Sequence, residues 1–400
     1  MNLADFSTPN FYADPYPVYD RLRDAGPVVQ VGDGLWATAS YEVTNTLLCD
    51  RRMGRNHIAS IVARYGAEKA QAPVFQALGR IMLFLNPPTH TRLRALTMKV
   101  FTAAQVTQTK VFAEEIAARL IDAMARAEST DLMSDFAMPL PAMVICSLLG
   151  VPVTDSGLFT EAVAAAALSV ETAPLTDRQI ADANRAIDFM QAYFRELLAA
   201  RRKNPGSDLI SLLLKAEEGD DRLTEEEILA NVILFFMAGH ETTADMIGNS
   251  LIALHRHPAQ LDRALGDPSA ISDVVSECLR YDTSAQVTSR TALEDMVLDG
   301  VSVRRGHTIF MFLGGANRDP AKFQHPNRLI VDRAEKSNRL ISFGGGIHYC
   351  LGARLATVEL EVALGALFSR LSGMRIDNLD SIEWYPRNAL RGPKSVRVSW

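Results

Sequence analysis

Cysteine is scarce in this 400-residue chain, and no two cysteines stand close together. The four cysteines are Cys49, Cys146, Cys278 and Cys350, and no CxxC motif occurs. This scarcity excludes a disulfide framework of the kind that stabilises small secreted domains, and it favours the reducing cytoplasm as the compartment. We interpret the first three cysteines as buried structural residues, since a free cysteine usually behaves as a small hydrophobic side chain.

Long apolar runs and excess positive charge are missing as well. The longest apolar run, 228–239, is interrupted and falls short of the roughly 20 residues that a membrane-spanning helix needs. The start of the chain shows neither a basic region nor an apolar core, so we expect no signal peptide and no membrane attachment. The net charge of −6 argues against a general affinity for nucleic acid. Repeats and long linkers are also absent, which predicts a single domain over residues 1–400.

A helical pattern covers most of the chain. It extends from residue 89 to about residue 290 and continues in a shorter segment near the C-terminus. The clearest helix spans 224 to about 255, because Thr224 and Glu227 form a capping box and Pro258 follows the end of the pattern. Strand-like segments are confined to about 27–39, 296–313 and 380–400. The predicted fold is therefore mainly α with small β-sheets.

A glycine-rich segment near the C-terminus carries the most specific pattern of the sequence. Residues 343–352 read FGGGIHYCLG and precede an amphipathic helical pattern over 353–371. Glycines allow the backbone to approach a flat cofactor closely. The positive end of a helix lowers the pKa of a nearby thiol. The segment therefore places Cys350 where a thiolate can bind a cofactor metal.

This segment resembles the haem-binding loop of the cytochrome P450 family, in which the matching cysteine is the axial ligand of the haem iron. The resemblance extends over nearly the whole chain and implies the cytochrome P450 fold, with one long helix crossing over the haem. It implies haem b as the cofactor, Cys350 as the iron ligand, and positions for Phe343 and Gly352 beside the cofactor. A thiolate ligand donates electron density to iron, which favours cleavage of the O–O bond.

The long predicted helix carries a second motif, Ala238-Gly239-His240-Glu241-Thr242. Glycine inside a helix costs roughly 1 kcal/mol relative to alanine, so the small residues here indicate room for a ring and a diatomic ligand. The Thr242 hydroxyl can bond to the Ala238 carbonyl and open a notch in the helix. The motif resembles the oxygen-activation motif of the family, which implies that Glu241 and Thr242 deliver protons to oxygen. A kinked core helix without a catalytic role is the alternative.

Glu277 and Arg280 lie three residues apart on a predicted helix and can pair there. An exposed surface pair is the more common explanation of such spacing. By resemblance to the family, Arg328 supplies a second arginine to Glu277. The three residues would then form a buried network that holds the cysteine loop in place.

Two histidines and two arginines are implied by the resemblance to bind the haem carboxylates. His90 and Arg94 lie one helical turn apart and reach the same side of their helix, and Arg290 and His348 complete the set. Charge-assisted hydrogen bonds to carboxylates are strong and orient the group that accepts them.

The resemblance implies a monooxygenase that inserts one atom of O2 into an apolar or amphipathic organic substrate, by hydroxylation or epoxidation, in secondary metabolism. The sequence contains no flavin, nicotinamide or iron–sulfur motif, so we expect electrons from a separate ferredoxin and its reductase. We expect the protein to be a monomer. Basic residues near Cys350 are candidate docking residues for an acidic partner, with ordinary solvated charges as an equal alternative. These residues are Arg333, Lys336, Arg339 and Arg354.

The substrate pocket is implied to draw on five segments of the chain, namely 54–85, 160–185, the long helix, 284–289 and 388–390. Individual candidates are Leu85, Leu234, Phe235, Ala238, Val287 and Leu390. Ser284 stands where the family often has proline, so the contour of that wall stays open.

Two other functions compete with the monooxygenase reading. A peroxide-using haem enzyme is one of them, but such relatives usually lack an acid–alcohol pair like Glu241 and Thr242. A non-catalytic haem-binding sensor is the other, and it would not need a proton relay.

Overall fold

Helices form most of the part of the chain that the structure describes. This computed structural model describes residues 1–400 apart from 172–173, 219–220, 334–339 and 372. The helices are α1 (Pro9–Ala13), α2 (Tyr16–Ala25), α3 (Tyr41–Cys49), α4 (His57–Lys69), α5 (Pro73–Leu78), α6 (Thr89–Met98), α7 (Ala103–Met124), α8 (Pro139–Leu149), α9 (Ser156–Ala167), α10 (Asp177–Lys203), α11 (Leu209–Lys215), α12 (Glu225–His255), α13 (Pro258–Gly266), α14 (Ile271–Tyr281), α15 (Leu313–Ala316) and α16 (Ala353–Arg370).

The strands are short and belong to small sheets. They are β1 (Val29–Gly32), β2 (Leu35–Thr38), β3 (Met53–Gly54), β4 (Ser129–Asp131), β5 (Glu217–Glu218), β6 (Asp221–Arg222), β7 (Val287–Ala292), β8 (Met296–Leu298), β9 (Val301–Val303), β10 (Thr308–Phe312), β11 (Arg375–Ile376) and β12 (Arg397–Ser399). The sheets have the strand orders β1-β2-β10-β7-β3, β11-β12-β4, β5-β6 and β8-β9. This architecture confirms the predicted fold class of helices with small sheets.

Half of the described strands lie in the predicted segments, namely β1, β2, β8, β9, β10 and β12. β3, β4, β5, β6, β7 and β11 lie outside them, so the prediction that strands are confined to those segments was wrong. β1 and β2 form an antiparallel hairpin within 27–39, and Gly34 allows its tight turn because its φ is +63°. β8, β9 and β10 lie within 296–313. β10 pairs in parallel with β2 and antiparallel with β7, with Ile309 opposite Arg290 in the second pair.

Helix α12 confirms the long helix that the sequence predicts. Its capping box is present, since the Glu227 amide donates to Thr224 Oγ1 at 3.3 Å and the Thr224 amide donates to Glu227 Oε2 at 2.9 Å. The helix has 31 residues, which corresponds to a length of roughly 45 Å. Pro258 begins the next helix three residues after the end of α12.

Contacts within the described chain divide it into two compact units, and the predicted single domain stays a prediction. The first unit comprises Met1–Gly54, Ala117–Ala137 and Thr242–Trp400. Its five-stranded sheet is covered by an aromatic cluster in which Phe6 stacks on Phe312 at 4.5 Å and Phe11 meets Tyr19 edge to face. Burial of these large rings gives this unit its own hydrophobic core.

The second unit comprises Arg55–Ile116 and Met138–Glu241 and is helical apart from the β5–β6 hairpin. Its core forms around Phe159 of α9, which stacks on Phe236 of α12 at 4.4 Å and also meets Phe194 of α10. Within the described residues, one window, Val153–Val170, is long and apolar enough to cross a membrane by length and composition alone. In this window 33% of the residues are buried, and Phe159 among them packs against α10 and α12.

Candidate functional site

The four cysteines fall into two classes of exposure. Cys146 and Cys278 are buried, and burial raises the pKa of each thiol to about 12, which makes them inert structural residues. Cys49 is exposed at the end of α3, so the interpretation of this residue as buried was wrong. Cys350 is also exposed, and none of the four, all of which the structure describes, forms a disulfide.

Cys350 lies at the accessible end of a closed loop. The loop begins at Ile341, turns through three glycines, and ends three residues before α16. The Cys350 amide donates to the Phe343 carbonyl at 3.0 Å, and the Gly344 amide donates to the Ile341 carbonyl at 2.9 Å. These backbone bonds fix the position of Cys350 before any cofactor binds.

Gly346 fixes this loop against the last turn of α3. Its φ is +63°, a conformation that side-chain-bearing residues rarely adopt. A Cβ at this position would lie 2.0 Å from the Leu48 carbonyl oxygen, so the contact is possible only for glycine. The loop and α3 therefore support each other through backbone contact.

Asn317 connects the base of the loop to α14. Its side chain accepts a hydrogen bond from the Ile341 amide at 2.9 Å and donates to Ser342 Oγ at 2.8 Å. Its carbonyl accepts from Arg280 Nη1 at 2.9 Å, and Ser342 Oγ donates to the Leu279 carbonyl at 2.7 Å. All of these bonds are buried, which makes them costly to lose.

The buried network around Glu277 is confirmed, but its second arginine is Arg333, and the prediction of Arg328 was wrong. Arg280 makes two bonds to Glu277, at 2.7 and 2.8 Å, and Arg333 Nε lies 3.1 Å from the same carboxylate. The Glu277, Arg280 and Arg333 side chains are at most 7% exposed. The Arg328 side chain is exposed, and only its backbone carbonyl takes part, as an acceptor for both arginines.

The pairing of Arg333 with Glu277 also changes the predicted docking cluster. Arg333 is committed to Glu277 and cannot face a partner protein. Lys336 and Arg339 lie outside the described residues, whereas Arg354 is exposed at the start of α16. Two large apolar side chains of the loop, Ile347 and Tyr349, are also 47% and 45% exposed. Both residues lie within three positions of Cys350 in the sequence.

Arg290 is a buried cation without a carboxylate partner among the described residues. The residue is 3% exposed and donates to the Ser289 carbonyl at 2.9 Å and to Thr288 Oγ1 at 3.3 Å. Burial lowers the pKa of the guanidinium to about 10. A buried charge without a counter-ion is unfavourable, so this residue fits an anionic group such as a haem carboxylate.

The other three residues predicted to bind the haem carboxylates occupy compatible local positions. His90 is buried and Arg94 is half-buried, one turn apart on α6 as predicted. His348 is half-buried in the 3-10 turn Gly346–His348, two residues before Cys350. Their roles stay predictions.

The middle of α12 is accessible on one side. Ala238 is exposed, and Leu234 and Thr242, one turn before and after it, are half-buried. Gly239 adjoins α8, where an added Cβ would make an ordinary contact of 3.7 Å with Ile145. Small residues therefore leave space beside Ala238 in a helix that is otherwise largely buried, as the resemblance to the oxygen-activation motif implies.

His240 is a residue that the sequence analysis quoted but gave no role. It is fully buried, and one ring nitrogen lies 3.2 Å from the Met138 carbonyl, just before α8. Burial lowers the pKa of this imidazole to about 4, so the ring is neutral at physiological pH and donates to that carbonyl. The bond connects the middle turn of α12 to α8, directly beside the buried Glu241.

Two predicted pocket segments meet in the first unit. Ala285 and Leu390 form an antiparallel bridge, and the Gln286 amide donates to the Ala389 carbonyl at 2.9 Å. Val287 begins β7 and is half-buried beside them. Segments 284–289 and 388–390 therefore form one continuous wall.

The pocket candidates of the second unit have different exposures. Leu85 is half-buried, as is Leu234. Phe235 is 8% exposed, and its ring meets Phe101 edge to face at 5.2 Å. Their contact with a substrate stays a prediction.

Comparison with known proteins matches the chain to one family over most of its length. The model "Cytochrome P450" matches residues 55–265 and 270–390. A putative cytochrome P450 133B2 of Xylella fastidiosa is 45% identical over 396 residues, which cover 99% of this chain and 98% of that protein. The cytochrome P450 monooxygenase PikC of Streptomyces venezuelae is 35% identical over 400 residues, which cover 98% and 92% of the two chains.

Solved structures give the same result at the level of the fold. P450BioI, in complex with an acyl carrier protein ligated to hexadec-9Z-enoic acid, matches with a TM-score of 0.91 and 32% identity. The match covers 98% of this chain and 99% of the P450BioI chain. This similarity confirms the fold that the resemblance implied.

Proposed function

This chain belongs to the cytochrome P450 family, and from that premise we propose that it oxidises an apolar or amphipathic organic molecule in secondary metabolism with electrons from a separate ferredoxin. Members of the family are haem-iron monooxygenases that use O2, and this chain is accordingly an oxidoreductase. The proposed cofactor is haem b, the reaction is a hydroxylation or an epoxidation, and the protein is a cytoplasmic monomer without membrane attachment.

The observation that carries the proposal is the geometry of the Cys350 loop. The thiol is exposed, while its backbone is fixed by Phe343, Gly346 and the bonds of Asn317 to the base of the loop. A rigid loop holds a metal ligand in one orientation, which lowers the cost of binding the cofactor.

Haem, when bound, would supply oxygen activation and transfer of the oxygen atom. The chain would hold it through the Cys350 thiolate and through the carboxylate-binding residues His90, Arg94, Arg290 and His348. Arg290 has the strongest support among these four, because its buried charge has no carboxylate partner in the described chain. Phe343 and Gly352, on either side of Cys350, would lie beside the cofactor.

Glu241 and Thr242 are the proposed proton carriers. Glu241 is 5% exposed, and Thr242 follows it on the accessible side of α12. A carboxyl and a hydroxyl in this position can pass protons from water, and a positioned donor typically accelerates a reaction by about 10²–10⁴-fold. Substitution of Thr242 by alanine should raise the yield of peroxide per electron pair consumed. Unchanged product yield without extra peroxide would show that Thr242 does not carry protons in the reaction.

An acyl chain is the first substrate to test. P450BioI carries a hexadec-9Z-enoic acid on an acyl carrier protein in its solved structure, and it is 32% identical to this chain. Absorbance titrations with free fatty acids of increasing length, and with the same chains on a carrier protein, test the proposal. A spectral shift only with rigid polycyclic molecules would exclude an acyl substrate.

The proposed electron partner docks beside Cys350. Within the described residues, the exposed groups near it in sequence are Ile347, Tyr349 and Arg354. An apolar centre with a cation beside it suits an acidic protein that also has an exposed apolar contact. Substitution of Arg354 by glutamate should lower ferredoxin-supported turnover and leave peroxide-supported turnover unchanged. Equal loss with both would show that Arg354 has no role in docking.

Two cysteine variants provide the decisive test of haem ligation. The reduced protein with carbon monoxide should show the red-shifted Soret band of a thiolate-bound haem. Substitution of Cys350 by serine should abolish this band, and substitution of the other exposed cysteine, Cys49, should not. A band that survives the loss of Cys350, or is missing from the parent protein, would overturn the proposal.

A further inference from the structure

Asp282 and Arg391 form a second buried ion pair, which the reaction described above does not use. Arg391 Nε lies 2.9 Å from Asp282 Oδ1, and their side chains are 7% and 11% exposed. Tyr16 donates its hydroxyl to the same Asp282 oxygen at 2.7 Å. The pair is therefore well satisfied, although its members lie 109 positions apart in sequence.

The Arg391 guanidinium also binds the N-terminal segment. Nη1 donates to the Tyr12 carbonyl at 2.7 Å and Nη2 donates to the Ala13 carbonyl at 3.1 Å. One face of the guanidinium lies 3.6 Å from the centre of the Trp384 ring. A planar group with several donors can make all of these contacts at once, which a lysine ammonium cannot do.

The backbone of Arg391 holds the pocket wall. Its amide donates to the Ser284 carbonyl at 2.8 Å, and its carbonyl accepts from Asn249 Nδ2 at 3.0 Å. Ser284 and Asn388 begin the two segments that meet in the bridge between Ala285 and Leu390. Arg391 therefore contacts segment 284–289 and directly follows segment 388–390, the two segments predicted to line the substrate pocket.

Gly392, the residue after Arg391, lies in close contact with α12. A Cβ on Gly392 would lie 1.9 Å from Asp245 Oδ1, so a larger residue there would displace this carboxylate. Asp245 is one turn beyond Thr242, the proposed proton carrier. The turn therefore packs closely against α12 as well as against the segment that leads into β7.

We propose that Arg391 is a positioning residue for substrate selection: it holds the turn 388–390 against 284–286 and thereby sets the contour of the pocket wall. This inference rests on the proposed function, because the family resemblance behind that function implies that these segments line the substrate pocket. Arg391 acts through Leu390 and Ala285 and does not itself need to touch the substrate.

The test compares Arg391→Lys with Arg370→Lys. Arg370 has similar chemistry, a carboxylate (Asp122, 2.5 Å) and a backbone carbonyl (Ala118, 3.1 Å), but it lies on α16 and is more exposed. The probes are imidazole and 4-phenylimidazole, which both bind haem iron and differ in the wall contact they need. Arg391→Lys should weaken 4-phenylimidazole binding by about tenfold and change imidazole binding by less than about twofold, because small displacements of a wall penalise the larger ligand. Arg370→Lys should change neither.

A second readout does not depend on haem. Hydrogen–deuterium exchange of the backbone over 384–391 should become faster in Arg391→Lys and stay unchanged in Arg370→Lys. Equal probe ratios and equal exchange in Arg391→Lys and the parent protein would overturn the inference.

Trp384→Leu covers the case in which Arg391→Lys does not fold. It removes the stacking contact and keeps the ion pair, so it should shift the probe ratio in the same direction by a smaller factor. An unchanged ratio in that variant would also overturn the inference. A parent protein without the thiolate-type carbon monoxide band would instead contradict the proposed function, and the exchange experiment would still decide whether Arg391 holds the turn.

Discussion

Two buried arginine–carboxylate centres in the first unit have the same chemistry and support different parts of the molecule. The centre of Glu277, Arg280 and Arg333 connects through Asn317 to the base of the Cys350 loop. The centre of Asp282 and Arg391 connects to the turn 388–390, which we propose to form the pocket wall. Asp282 directly follows α14, the helix that carries Glu277, so one helix end contributes to both centres.

The difference between the centres lies in what they hold. The first binds five backbone carbonyls, those of Asn317, Gln324, His325, Pro326 and Arg328. It stabilises the loop of Cys350, the proposed metal ligand. The second joins one arginine to one aspartate and holds the turn 388–390, which we propose to select substrates. Damage to the first should therefore abolish cofactor binding, and damage to the second should change specificity while the cofactor stays bound.

The largest effect is expected for Glu277→Ala. The change removes the carboxylate that Arg280 and Arg333 share, and removal of one partner of a buried pair costs about 3–5 kcal/mol. We expect a low ratio of haem to protein and a lower free energy of unfolding in urea. Glu383→Ala is the matched control, because its pair with Lys394 is exposed. Full haem content in Glu277→Ala would refute the role of this centre.

Asp282→Asn should have a smaller and different effect. The side chain keeps its shape but loses the charge that binds Arg391, and a hydrogen bond to a charged group contributes about 1.5–3 kcal/mol. The free energy of unfolding should decrease by an amount within that range, while the carbon monoxide band stays intact. Asp122→Asn, which alters the exposed partner of Arg370, should change stability little. Loss of the haem band in Asp282→Asn would remove the distinction between the two centres.

Glu359 extends the comparison to a buried carboxyl without an arginine. It lies on α16, and its Oε2 has no hydrogen-bond partner among the described residues. Burial raises the pKa of this carboxyl to about 8, so the folded protein holds a proton that the unfolded chain releases near its ordinary pKa of about 4.3. Stability from this group is therefore complete at low pH and is lost as the pH rises toward 8.

Glu359→Gln should remove the loss of stability that the ionisation of Glu359 causes at high pH. Because each unit of pKa shift corresponds to about 1.4 kcal/mol, the variant should exceed the parent by roughly 2 kcal/mol or more at pH 8 and match it at about pH 4, where the unfolded carboxyl is also protonated. Urea unfolding at the two pH values measures the difference. Parallel pH profiles for the two proteins would show that Glu359 is ionised in the folded state.

Ser342→Ala should have the smallest effect of this series. Ser342 Oγ donates to the Leu279 carbonyl and accepts from Asn317 Nδ2, and loss of such a bond costs about 1 kcal/mol. Haem should still bind but dissociate faster, as measured by transfer to apomyoglobin. A haem dissociation rate equal to that of the parent would show that Asn317 holds the loop without this serine.

Local patterns in the sequence predicted a large part of this protein. The capping box of Thr224 and Glu227 and the hairpin turn at Gly34 were predicted from neighbouring residues, because the positions that they pair lie at most eight apart in sequence. The glycine run before Cys350 predicted a tight loop for the same reason. The fold class followed from these elements and from the family resemblance.

The pairing of distant residues was decided only by tertiary structure. The family resemblance assigned Arg328 to Glu277, but the path of the backbone exposes the Arg328 side chain and buries that of Arg333 against the carboxylate. Asp282 and Arg391 share no periodic pattern, so no spacing rule could join them. Helix caps and turns depend on local geometry that a few residues specify, whereas ion pairs between distant segments depend on how those segments pack.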